Sequence, residues 1–192
     1  KALKNGIHLP QVMETVKEVR KHTAIPIVLL TYYNPVFRYP ADRFFQEAKE
    51  IGIDGVIIPD LPGEEQQEIR PLADENGVDI IQMVAPTSEE RIRANLKNAT
   101  GFVYVVSSMG VTGMRGDIKT DLKDIIQVVR DTTDTPVAIG FGIHTPEQAK
   151  EMAALADGVI TGSGVVDIIN KEGDKADKDL MDYIGGLKKA IG

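Results

Sequence analysis

Short apolar runs alternate strictly with amphipathic stretches along this chain of 192 residues, and this alternation limits the folds that it can adopt. The apolar runs are solid rather than alternating, which is typical of strands that are covered on both faces. The predicted strands are Ile25–Tyr32, Asp54–Asp60, Val78–Val84, Gly101–Ser107, Thr135–Phe141 and Asp157–Gly162. Evenly spaced β/α units of this kind predict a parallel sheet, either closed as a barrel or open and doubly wound.

A predicted helix follows every strand, and one further helix precedes the first strand. The helices are predicted at Leu9–Lys21, Ala41–Ile51, Glu64–Asn76, Glu89–Lys97, Asp121–Asp131 and Thr145–Leu155, with one or two more at the end of the chain. Thr87 with Glu90, and Thr145 with Gln148, have the spacing of capping boxes at two helix starts. These boundaries define the positions of the loops that follow the strands. Barrel enzymes have their active sites in these loops.

The number of strands favours an incomplete barrel. A (β/α)₈ barrel closes with eight strands in about 250 residues, whereas this chain has six and begins with a helix. Adding a strand, a helix and a strand upstream of Lys1 completes the pattern, so residues 1–192 are predicted to be one partial TIM-barrel domain of six β/α units. The alternative is a flavodoxin-like open sheet, although such sheets usually start with a strand.

Charge and composition exclude several classes of function. The formal net charge of −7 argues against a nucleic-acid or anionic membrane partner, because both need clustered Lys and Arg. The absence of Cys excludes disulfides and thiolate chemistry, and no apolar run approaches the roughly 20 residues that cross a bilayer. We therefore expect a cytoplasmic protein with a small-molecule substrate and no metal.

Two glycine-rich loops follow the last two predicted strands, at Gly140–Gly142 and Gly162–Gly164. In barrels, the loops after strands seven and eight often bind phosphate together with a nearby helix start. Either loop alone is more typical of a tight turn that needs a positive φ. Two of them on neighbouring strands favour a phosphate site.

Other strand ends carry further candidates. The loop 108–117 predicts a lid over a ligand, with Thr112 and Arg115 as polar contacts, or else an ordinary connector. Asp60 ends the second strand and is either an acid–base group or a helix cap. Tyr104 lies in an apolar strand, where it either packs in the core or contacts a ligand.

Six segments, in order over nearly the whole chain, carry a family resemblance: Leu29–Tyr39, Gly55–Glu65, Val84–Ile92, Gly101–Gly116, Pro136–Ala149 and Ala156–Val166. Together they resemble the tryptophan synthase alpha subunit family. The resemblance implies a TIM barrel that cleaves indole-3-glycerol phosphate into indole and glyceraldehyde 3-phosphate by a retro-aldol reaction. It also implies an αββα complex in which the beta subunit carries pyridoxal phosphate, while this chain needs no cofactor.

The resemblance assigns roles to residues in both glycine loops and in the strands. It implies a phosphate site at Gly113, Gly142, Gly162 and Ser163. It implies an indole pocket lined by Tyr32, Ile57, Tyr104 and Phe141. Thr112 would belong to the lid.

The family's catalytic glutamate and aspartate are the one serious departure. Both map upstream of Lys1, so no catalytic residue is expected within residues 1–192, and the chain by itself is expected to be inactive. Two alternatives stay open: a non-catalytic phosphate-binding half-barrel that acts through a partner, and another sugar-phosphate isomerase or epimerase.

Overall fold

A computed structural model describes residues 6–107, 118–140 and 142–192. The chain divides into two compact units, Lys1–Gln82 with Ala99–Gly101, and Met83–Asn98 with Phe102–Gly192. The strands are β1 Val28–Leu30, β2 Gly55–Ile57, β3 Asp79–Ile80, β4 Gln82–Val84, β5 Val103–Val106, β6 Val137–Gly140 and β7 Gly158–Ile160. The helices are α1 Leu9–Arg20, α2 Tyr33–Arg38, α3 Ala41–Ile51, α4 Arg70–Asn76, α5 Glu89–Leu96, α6 Ile118–Arg130, α7 Pro146–Ala153, α8 Ser163–Glu172 and α9 Asp177–Ile191.

The first unit contains a parallel sheet in the order β1-β2-β3. Val28 of β1 pairs with Gly55 of β2, and Gly55 pairs in turn with Asp79 of β3. Phe44 and Phe45 of α3 are fully buried, and their rings meet edge to face with centroids 5.1 Å apart. Burial of two aromatic side chains contributes several kcal/mol, of order 1.5–3 each, to the stability of this unit.

The second unit contains a sheet in the order β4-β5-β6-β7. Tyr104 of β5 pairs with Ala138 of β6, and Gly140 of β6 pairs with Ile160 of β7, both in parallel register. In both sheets, neighbouring strands follow each other in sequence, as in a barrel. A flavodoxin-like sheet would instead have the strand order 2-1-3-4-5.

In each unit, an aspartate just before a strand accepts a backbone N–H from the neighbouring segment of chain. Asp54, just before β2, accepts the backbone N–H of Ile27 at 2.7 Å and forms an ion pair with Arg20 at 2.5 Å. Asp157, just before β7, accepts the backbone N–H of Val137 at 2.8 Å. These carboxylates fix where β2 and β7 begin, and therefore where the loops at their carboxyl ends are placed.

Several sequence predictions need correction. The strand predicted at Val78–Val84 is two short strands in two sheets, β3 and β4, separated at Ile81. The helix predicted at Glu64–Asn76 is a 3₁₀ turn at Gly63–Glu68 followed by α4. Pro71 explains the break, because it has no N–H to donate and its ring collides with the preceding turn of a helix.

The capping predictions have different outcomes. At α7, Thr145 Oγ1 accepts the N–H of Gln148 at 3.3 Å, and Gln148 Oε1 accepts that of Thr145 at 3.1 Å. This confirms the second predicted box. The first is wrong, because Ser88 is the N-cap of α5, which leaves Glu90 one position too early to complete a box.

Candidate functional site

The loops that follow β6 and β7 are brought together by a hydrogen bond. Because these strands are parallel neighbours, their carboxyl ends meet at the same edge of the sheet. Thr161, directly after β7, donates its hydroxyl to the backbone carbonyl of Ile143 at 3.0 Å. The predicted pairing of the two glycine loops is therefore present in the second unit.

Backbone geometry at these loops suits an anion. Gly142 has φ of +80°, which an L side chain adopts only at a cost, so glycine is needed there. Gly162 is the N-cap of α8, and a Cβ added to it would meet no atom within 4 Å. Gly162 and Ser163 are both exposed, so the space in front of α8 is open.

The start of α8 differs from that of its neighbour α7. The side chain of Thr145 caps α7, whereas within residues 142–192 no side chain caps α8 at Gly162. Uncapped N–H groups and the positive end of the helix dipole favour a negatively charged ligand. Ser163, the first residue of α8, adds a hydroxyl donor beside them.

Tyr104 of β5 packs over Gly140, the last residue of β6. A Cβ at Gly140 would lie 2.1 Å from Tyr104 Cε2, so only glycine leaves room for the ring. Tyr104 is 9% exposed, and its burial raises the pKa of its phenol above the ordinary value of 10.0. Tyr104 is therefore a core residue whose neutral phenol lies beside the loop after β6, and its contact with a ligand stays a prediction.

Two predicted pocket residues, Tyr32 and Ile57, lie in the first unit. Tyr32 is the N-cap of α2 and is 63% exposed, whereas Ile57 ends β2 and is 7% exposed. Tyr104 belongs to the second unit. That these side chains line one indole pocket stays a prediction.

Asp60 has a structural partner. Its Oδ1 accepts the backbone N–H of Tyr33, the first residue of α2, at 2.9 Å. The sequence left open whether Asp60 is an acid–base group or a helix cap. It caps a helix, and this helix precedes Asp60 in the chain.

Four predicted residues lie outside the described part of the chain: Thr112, Gly113 and Arg115 of the predicted lid loop, and Phe141. Among the described residues there is no group of three His, Asp or Glu side chains that could hold a metal ion. In the same part of the chain, no helix is long and apolar enough to pass through a membrane.

Sequence reasoning missed two residues at this site, Thr161 and Tyr183. The Tyr183 hydroxyl on α9 lies 2.8 Å from Thr161 Oγ1. Thr161 directly precedes the second glycine loop, and its polar side chain at a strand end was an available signal. Tyr183 is 22 residues further along the chain, and no local pattern connects it to the loop.

Comparison with known proteins identifies close relatives. The family model described as tryptophan synthase alpha chain matches residues 1–190. The tryptophan synthase alpha chain of Thermoanaerobacter sp. (strain X514) is 44% identical over 193 residues, covering 100% of this chain and 74% of that protein.

Comparison with solved structures identifies relatives from the same family. The structure of the tryptophan synthase α2β2 complex from Pyrococcus furiosus matches with a TM-score of 0.86 and 35% identity, over 98% of this chain and 76% of the other. The tryptophan synthase alpha chain from Legionella pneumophila matches with a TM-score of 0.87 and 31% identity, over 99% and 72%. These matches confirm the predicted fold class, the TIM barrel.

Proposed function

This chain belongs to the tryptophan synthase alpha chain family, a lyase family of tryptophan biosynthesis, and we propose that its two glycine loops hold the phosphate of indole-3-glycerol phosphate. The reaction is the retro-aldol cleavage to indole and glyceraldehyde 3-phosphate. Its partner is the tryptophan synthase beta subunit, as in the α2β2 complex of Pyrococcus furiosus. We place pyridoxal phosphate on that partner, assign this chain no cofactor of its own, and place the protein in the cytoplasm.

The observation that carries the phosphate proposal is the hydrogen bond from Thr161 to the Ile143 carbonyl. It joins the residue after Gly142 to the residue before Gly162, and Gly162 is the N-cap of α8, which no side chain in the described part of the chain caps. Backbone N–H groups from two loops and one helix start can then converge on a phosphate dianion. Gly113, on the loop outside the described residues, is proposed as a further contact.

The reaction places definite demands on the rest of the site. The bond between the indole ring and the hydroxyl-bearing carbon of the side chain breaks, and its electron pair stays with the ring carbon. That carbon gains a proton, while the substrate hydroxyl loses one and becomes the aldehyde oxygen. We propose that the neutral phenol of Tyr104 and the side chain of Phe141 contact the indole ring.

Residues 1–192 are proposed to lack the acid–base pair for these proton transfers. No position of the matched segments carries the family's catalytic glutamate or aspartate. Asp60 is already bound to the N–H of Tyr33. The chain therefore supplies substrate binding, while proton transfer depends on groups outside these residues.

Replacement of Gly162 by Asp tests the phosphate proposal. The site is open, so the side chain fits, and a carboxylate at the N-cap takes the same N–H groups that phosphate would use. We expect Gly162→Asp to keep or raise thermal stability while it weakens glycerol 3-phosphate binding at least tenfold in calorimetry. Gly185→Asp is the matched control, because a Cβ there also meets nothing within 4 Å, but the residue lies within α9. Equal affinity in the two variants would place the phosphate elsewhere.

The non-catalytic alternative predicts a different outcome. A binding half-barrel would hold phosphate in the same place, yet would not release indole even when the family's strand–helix–strand segment is joined to it. The isomerase or epimerase alternative is disfavoured by a family match that extends over residues 1–190.

A further inference from the structure

Tyr183 takes part in a chain of two hydrogen bonds that ends on the loop after β6. The hydroxyl of Thr161 donates to the carbonyl of Ile143 at 3.0 Å, and the Tyr183 hydroxyl lies 2.8 Å from Thr161 Oγ1. A threonine hydroxyl has one proton, which here goes to Ile143. Tyr183 must therefore donate to Thr161, and the chain has one direction, from α9 to the loop after β7 and on to the loop after β6.

Close packing against Gly164 holds the same phenol from a second side. A Cβ added to Gly164 would lie 2.2 Å from the Tyr183 hydroxyl oxygen and 2.6 Å from Cζ. Any side chain at Gly164 would push the ring away from Thr161. The first turn of α8 is thus shaped around the end of Tyr183.

Each contact in this arrangement lies one residue from a proposed phosphate ligand. Ile143 follows Gly142, Thr161 precedes Gly162, and Gly164 follows Ser163. We propose that Tyr183 is a positioning residue, which sets the spacing of the two glycine loops so that their N–H groups converge on the substrate phosphate. This proposal rests on the phosphate site proposed above.

A positioning role differs from simple attachment of α9. If Tyr183 only held α9 in place, loss of its hydroxyl would lower stability and leave phosphate affinity unchanged in the folded protein. If it sets the loop spacing, affinity falls, because a ligand held by several fixed donors is sensitive to small displacements. Binding measured well below the melting temperature separates the two.

The test measures glycerol 3-phosphate binding by calorimetry in Tyr183→Phe, Thr161→Val and the double variant. Tyr183→Phe removes one hydrogen bond and should weaken binding about fivefold, whereas Thr161→Val removes both bonds and should weaken it at least as much. Because both belong to one chain, the double variant should be no weaker than Thr161→Val alone. Thr161→Ser keeps the hydroxyl and should bind like the unaltered protein.

Tyr39→Phe is the matched control, because it also removes a hydrogen-bonded phenol, the one that donates to Glu47 at 2.6 Å in the first unit. It should leave the dissociation constant for glycerol 3-phosphate unchanged.

Two results would overturn the proposal. One is that Tyr183→Phe and Thr161→Val bind glycerol 3-phosphate within twofold of the unaltered protein. The other is that the losses of the two single variants add in the double variant. If the unaltered protein binds and Gly162→Asp does not, such a result removes the role of Tyr183 alone. If the unaltered protein does not bind glycerol 3-phosphate, the phosphate site itself is wrong, and this proposal falls with it.

Discussion

Asp60 Oδ1 accepts the backbone N–H of Tyr33 at 2.9 Å, so a carboxylate at the end of β2 caps the helix that follows β1. The bond links the loops after two neighbouring strands of the first unit. In the sequence, Asp60 is the only carboxylate at a strand end before the predicted lid, so it was the one candidate there for a catalytic acid or base. The bond to Tyr33 engages this carboxylate.

Substitution of Asp60 should therefore affect stability according to its capping ability. Asp60→Ala removes the acceptor and should lower the free energy of unfolding by about 1 kcal/mol, whereas Asp60→Asn keeps an acceptor oxygen and should cost less. Urea unfolding of both variants gives the comparison. Equal losses would mean that the negative charge, and not the cap, is what stabilises this region.

The contact between Gly140 and Tyr104 predicts a second difference. A Cβ at Gly140 collides with the Tyr104 ring at 2.1 Å, so Gly140→Ala should lower the free energy of unfolding by about 1–3 kcal/mol. Gly158→Ala is the matched control, because its Cβ would meet only Ala138 at 3.8 Å and should be nearly neutral. Thermal melting of the two variants decides the point, and similar losses in both would show that the ring yields freely.

Burial of Tyr104 predicts a dependence of stability on alkaline pH. Since burial raises the pKa of this phenol above 10.0 in the folded chain, the unfolded chain ionises first. Its contribution is fully present below pH 10.0 and is lost as the pH rises through the folded pKa. The free energy of unfolding should thus fall less steeply above pH 10.0 in Tyr104→Phe than in the unaltered protein. Parallel curves would show that Tyr104 ionises as freely as an exposed tyrosine.

The elements and the positions of the two glycine loops were predictable because their signals are local. Apolar runs indicate strands, and Thr145 with Gln148 lies within one helical turn, so both could be found from spacing. Boundaries were less accurate, since apolar residues continue beyond the hydrogen-bonded part of a strand: the run Ile25–Tyr32 contains β1 at Val28–Leu30 only.

Contacts between distant residues were not predictable. The partner of Asp60 is 27 residues earlier in the chain, and Tyr183 is 22 residues beyond Thr161. Such pairs depend on how neighbouring β/α units pack together, which the hydrophobic pattern does not record. The split of the third predicted strand at Ile81 is of the same kind, because it reflects which strand each half pairs with.

The last prediction concerns catalysis by residues 1–192. We expect negligible indole release from indole-3-glycerol phosphate, and activity once the family's strand, helix and strand are joined upstream. Phosphate binding holds substrate and transition state about equally, and such uniform binding does not accelerate the chemical step. Positioned acid and base groups typically contribute about 10²–10⁴-fold each, and residues 1–192 are proposed to carry neither. The assay compares the chain, its Asp60→Asn variant and the extended chain. If the unextended chain matches the extended one and Asp60→Asn abolishes its activity, Asp60 is an acid–base group as well as a cap, and the catalytic pair has been misplaced.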